Sequence, residues 1–72
     1  MNTRLKILDV VALLNDLTPR KLSKGQVGTI VDQLDENIFE VEFIDTKTGS
    51  TIAVETINSK DLILLHFELE KA

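Results

Sequence analysis

The stretch "KGQVGTIVDQ", Lys24 to Gln33, sets two glycines three residues apart directly ahead of a β-branched run. Val27, Thr29 and Val31 alternate with Gly28, Ile30 and Asp32. A period of two is the spacing of a strand, whose successive side chains point to opposite faces. Gly25 falls where a loop meets that strand, a place that often needs a left-handed backbone, and glycine adopts one with least strain. Gly28 falls inside the strand, where a glycine marks a bulge, a sharp bend or another segment passing close. A phosphate-cradling loop also uses closely spaced glycines, but in a turn that follows a strand and opens a helix. These glycines open a strand, so they read as geometry for curling a sheet.

The pattern continues in both directions. "LDEN", Leu34 to Asn37, has turn composition. In "IFEVEFID", Ile38 to Asp45, Phe39, Val41 and Phe43 share one face and Glu40 and Glu42 the other. That is the alternation of an antiparallel strand with one wet side. "TKTGS" supplies a hairpin turn with Gly49 at its left-handed position. "TIAVETI" is a further strand. "NSKDL" reads as one helical turn capped by Asn58 or Ser59, and "ILLHFELE" as a last strand, with Glu68–Ala72 expected to be disordered. Upstream, a strand over Val10–Leu14 competes with a helix from Arg4 to Leu17. The Val-Val pair and the β character downstream favour the strand. "NDLTPRKLSKG" follows as a long loop, with Pro19 blocking helix or central-strand continuation. About five short strands with tight turns predict an all-β fold. At this length the expectation is a single domain, 1–72, folded as a small SH3-like barrel of antiparallel strands with a short helical turn before the last strand.

Composition narrows the function classes. A chain of 72 residues is one domain and buries only about 60% of its unfolded surface. With no cysteine there is neither a disulfide nor a thiolate zinc site, and one histidine leaves little to ligate a metal; no metal or cofactor is expected. No apolar run approaches the roughly 18 residues of a bilayer span, and Asp9 interrupts the apolar stretch of "MNTRLKILDVV" that a signal peptide would need. A soluble, cytoplasmic protein is expected. The formal net charge is −4, unevenly spread. Residues 1–24 carry Arg4, Lys6, Arg20, Lys21 and Lys24 against Asp9 and Asp16, a balance of +3. Residues 25–72 carry Lys47, Lys60 and Lys71 against ten acids, a balance of −7. Phosphate affinity comes largely from Lys and Arg, so an acidic chain suits a basic protein surface better than a nucleic acid.

The ordered set "DVVALL" (Asp9–Leu14), "LSKGQVGTIV" (Leu22–Val31), "FEVEF" (Phe39–Phe43) with Asp45, and Leu62 resembles a small bacterial family, domain of unknown function (DUF) family 4926, over about residues 7–65. The chain departs from that family's pattern at Gln26, where an acid is frequent. The resemblance implies a compact SH3-like barrel and no chemistry. More distantly, "GQVGTIV" (Gly25–Val31) followed by "FEVEF" is similar to the strand-turn-strand of KOW-type modules in ribosomal and transcription proteins, and to SH3-like parts of some enzyme accessory subunits. Likeness at that level is analogy, since one fold hosts many functions.

Catalytic groups are scarce. His66, in "ILLHFE", reads as a half-exposed strand residue, because a general base or metal ligand needs further groups beside it. Ser23, Ser50 and Ser59 fall in turn or cap contexts. Glu40 and Glu42 share one strand face, and a hairpin centred near Glu36 sets Asp32 across from Glu40. Paired-carboxylate chemistry needs a cleft that a domain this small has little room to form. An enzyme is not expected. The leading expectation is a non-catalytic module that binds a basic protein partner through Asp32, Glu40 and Glu42, in one version masking it as an antitoxin does. Exposed edge strands add the option of a homo-oligomer. The alternative is a KOW-like RNA or ribosome contact through Arg4, Lys6, Arg20, Lys21 and Lys24, although no aromatic side chains interleave with them as stacking platforms.

Overall fold

A computed structural model describes residues 5–17 and 22–65. Five strands form one antiparallel sheet: β1 (Val10–Leu13), β2 (Val27–Asp35), β3 (Ile38–Ile44), β4 (Thr51–Asn58) and β5 (Leu62–Leu64), with a 3₁₀ turn at Ser59–Asp61 between the last two. The rival helix over the first segment is absent, and β1 stops one residue short of Leu14. β2 runs on through Leu34 and Asp35 and leaves a two-residue turn at Glu36 and Asn37. Pro19, His66 and Glu68–Ala72 lie outside the described residues.

The strand order is β4-β3-β2-β1-β5. β4 and β5 are its two edges and do not pair with each other, so the sheet is open and the expected closed SH3-like barrel is not formed. The reason lies in the 3₁₀ turn and in the length of β5. Laid flat, four strand spacings would separate the edges by roughly 19 Å. Three residues of 3₁₀ turn, at about 2 Å of rise each, cannot cross that distance, so the sheet coils until its edges approach at this corner. The chain then enters β5, whose three residues pair with Val11, Ala12 and Leu13 of β1. At three residues its outer side is only a stub, and no ladder with β4 forms along it. Glycine bends and short strands serve a coiled open sheet as well as a closed barrel, which is why the sequence suggests closure.

The turn is held from both sides. The Asn58 side chain accepts from the Lys60 amide at 2.9 Å, the cap anticipated for this position. The Ser59 amide donates to the Asn37 carbonyl at 2.8 Å, and the Leu14 amide to the Asp61 carbonyl at 2.9 Å. The concave side collects the core: Val11 and Leu13 of β1, Ile30 of β2, Phe39, Val41 and Phe43 of β3, Ile57 and Leu62, closed by Leu5 and Leu22. The alternation read from "FEVEF" therefore holds.

Gly28 pairs with Val11 on one side and Phe43 on the other. A Cβ built on it would stand 2.7 Å from Val41 Cγ1 and 2.8 Å from the Phe43 ring. The position is glycine because β3 side chains fill the space above its backbone. Gly25 and Gly49 have φ of +90° and +78°, the left-handed turns expected of them.

Candidate functional site

The convex face of the sheet carries the acidic residues singled out from the sequence, and a bulge in β2 decides which they are. Plain alternation puts Asp32 on the same face as Gly28 and Ile30, which is the core. The β2–β3 register instead steps from Ile30–Val41 to Asp32–Glu40, so Val31 and Asp32 together oppose Glu40. An extra residue of this kind flips the faces beyond it. Asp32 thereby reaches solvent and lies directly opposite Glu40, as a hairpin centred near Glu36 anticipates.

Glu42 lies in the next row. Val10, Thr29, Glu42 and Val54 are successive cross-strand neighbours and form a row over four strands. Asp32, Glu40 and Thr56 form a parallel, shorter row. The Thr51 hydroxyl donates to Glu42 Oε2 at 2.6 Å, and the Gln33 amide donates to Asp32 Oδ1 at 2.8 Å. Among the described residues no lysine or arginine pairs with Asp32, Glu40 or Glu42. Like charges directly opposite on a strand pair cost about 0.2–1 kcal/mol, so the Asp32–Glu40 pair is retained against a small penalty.

Of the basic set, the described residues include only Lys6 and Lys24. Arg4, Arg20 and Lys21 lie outside the described residues. Lys6 precedes β1, where its amide donates to Asp9 Oδ2 at 2.8 Å. Lys24 sits at the other end of β1, its amide bound to Asp16 Oδ1 at 2.7 Å, next to the Gly25 amide that reaches the Leu13 carbonyl. The length of β1 separates these two cations. Lys24 instead shares a shallow open groove of about 500 Å3 with Val27, Thr29, Glu42, Ile44 and Thr46. Lys24 and Glu42 are the charged residues of its lining.

Apolar side chains on the convex face are the feature that alternation alone passes over. Val27, Val31, Ile44, Ile52, Val54 and Ile63 are each between 38% and 52% exposed. Val27 and Val31 alternate with Gly28 and Ile30, and the sequence alone does not say which of the two faces is buried. Once Gly28 is known to sit beneath Phe43, their outward direction follows.

Among the described residues no three His, Cys, Asp or Glu side chains come together as a metal site, and no charged or polar side chain is buried. No helix among them is long and apolar enough to cross a membrane. The architecture and surface define a small all-β domain of five antiparallel strands without catalytic signatures in its described part. Over residues 7–64 it matches the family described as "Domain of unknown function (DUF4926)", and the chain belongs to that family. Neither the curated proteins nor the solved structures gave a match.

Proposed function

We propose that the domain is a non-catalytic interaction module that receives a basic protein surface on the convex face of β2 and β3. The observation that carries this reading is the direct opposition of Asp32 and Glu40, with Glu42 in the adjoining row, on the convex face, where none of the three is ion-paired to a lysine or arginine among the described residues. Carboxylates kept together against their own repulsion favour a ligand that brings positive charge. The exposed valines and isoleucine around them add apolar surface to the same face. A partner whose basic surface is masked by this domain, in the manner of an antitoxin, is the version its acidity suits, and the cytoplasm is the compartment that fits its lack of cysteine. For the RNA-binding alternative, the two described cations, Lys6 and Lys24, stand at opposite ends of β1.

The test is capture from nuclease-treated extract of the source organism on immobilised domain, wild type beside the double variant Glu40→Lys, Glu42→Lys. Basic proteins held by the wild type and lost from the variant are expected, with affinity reduced roughly tenfold or more and a flatter salt dependence. The variant should fold at least as well as the wild type, because the ammonium at position 40 faces Asp32. Equal retention by both proteins would remove the acidic face from the proposal. Capture of RNA-bound material that vanishes with nuclease would replace it with the nucleic-acid reading.

A further inference from the structure

The two edges of the sheet are protected unequally. β5 is three residues long, and a very short edge is a common guard against unwanted pairing. β4 is eight residues long, "TIAVETIN", with no proline and no lysine, and β3 is its single strand neighbour among the described residues. Its composition is the β-rich, weakly charged kind that pairs readily.

The ladder shows which groups face outward. The Ser59 amide bonds the Asn37 carbonyl. Counting back in twos, Phe39–Ile57, Val41–Glu55 and Phe43–Ala53 are the hydrogen-bonded pairs with β3. Val54 and Thr56 therefore turn their amides and carbonyls to the open edge. Their side chains stand on the convex face, and Val54 is 50% exposed.

We propose that β4 pairs antiparallel with β4 of a second copy of this chain, centred on Val54. This goes beyond the acidic-face reading and does not depend on it. A two-fold axis perpendicular to the sheet keeps both convex faces on one side, so each residue meets a residue of its own face. Centred on Val54, the two valines oppose each other and Ile52 of each copy opposes Thr56 of the other. The convex edge row is then uncharged, and on the other face Glu55 of each copy opposes Ala53 of the other, so no two carboxylates meet across the seam of two acidic copies. Centring on Glu55 would oppose two carboxylates, and centring on Thr56 would shorten the overlap to five residues of each strand. An edge contact this narrow buries less than about 1,200 Å2, so the dimer is weak and forms at high concentration.

The chain has no native cysteine, so a single introduced thiol reports cleanly. In the proposed register the two Val54 Cα atoms stand about 5.5 Å apart, inside the roughly 4.4–6.8 Å range of a disulfide. The two Thr56 residues are offset by four positions and out of reach. Under mild oxidation V54C should form a linked dimer at least about tenfold faster than T56C. Sedimentation of the wild type over roughly 0.01–1 mM should show reversible dimerisation. V54K, checked for folding by circular dichroism, should stay monomeric over that range. A wild type that remains monomeric throughout, or a T56C that links as fast as V54C, overturns the proposal. Both outcomes leave the acidic-face test untouched.

Discussion

Replacing Gly28 with alanine adds one methyl group where Val41 and Phe43 side chains lie against the β2 backbone. The new Cβ would lie 2.7 Å from Val41 Cγ1 and 2.8 Å from Phe43 Cδ1 and Cε1, about an ångström inside the usual carbon–carbon separation of roughly 3.5–4.0 Å. Neither neighbour has room to withdraw, since Val41 and Phe43 are both fully buried. Overpacking of this kind costs about 1–3 kcal/mol. The substitution also removes unfolded-state freedom, which returns about 0.4–1 kcal/mol. The packing term wins, and a net loss of about 1–2 kcal/mol is expected. A domain of this length has roughly 4–11 kcal/mol in total, so Gly28→Ala should fold, with a melting temperature lowered by about 5–15 °C.

With neither tryptophan nor tyrosine in the chain, far-ultraviolet circular dichroism is the assay, run against temperature and urea. A second background isolates the cause. Val41→Ala removes Cγ1, one of the atoms the new methyl would meet, so Gly28→Ala should cost less there than in the wild type, a coupling that double-mutant cycles resolve down to about 0.5 kcal/mol. An unchanged or higher melting temperature for Gly28→Ala, or equal losses in the two backgrounds, would refute the close approach as the reason for this glycine.

Other substitutions test separate parts of the fold. Leu8 has φ of +80° and is 76% exposed; Leu8→Gly should relieve about 1 kcal/mol of left-handed strain and raise the melting temperature. Phe43→Ala should lose about 3–5 kcal/mol, enough to leave much of the protein unfolded in circular dichroism at ambient temperature. Asn58→Ala removes the side chain that accepts from the Lys60 amide and should lower the urea midpoint by an amount equivalent to about 1 kcal/mol.

Local pattern was enough for most elements. The alternation of Phe39, Val41 and Phe43, the left-handed glycines and the Asn58 cap each depend on neighbours in sequence, and each appears where its residues require it. Closure of the sheet depends on how far apart β4 and β5 lie, and no local residue encodes that. Asp32 shows the difference most clearly. The sequence sets it across from Glu40 by hairpin register; with Ile30 buried, unbroken alternation would turn it inward, and a bulge at Val31, which has no signature in the residues around it, keeps it at the surface. The candidate acids were legible as residue types on a strand face; their opposition follows from the hairpin register. The basic set was legible only as a composition, and chain order said nothing of the distance between Lys6 and Lys24 across β1.

The acidic face and the β4 edge belong to one row. Val10, Thr29, Glu42 and Val54 run across β1 to β4 and end at the open edge. Pairing through Val54 continues that row in mirror order into the second copy, so the apolar centre is flanked on both sides by a Glu42. The two carboxylates are three strand spacings apart, about 14 Å, beyond the roughly 8 Å over which charges act through physiological salt. Their mutual repulsion is therefore screened, and acidity is no obstacle to the pairing. A basic partner spanning the seam would meet two acidic patches held on one surface at a fixed separation. Engaging the second becomes an intramolecular step once the first is bound, so two weak contacts act as one stronger contact. A weak edge and a modest charge cluster, each slight alone, reinforce each other because the sheet places them in the same line.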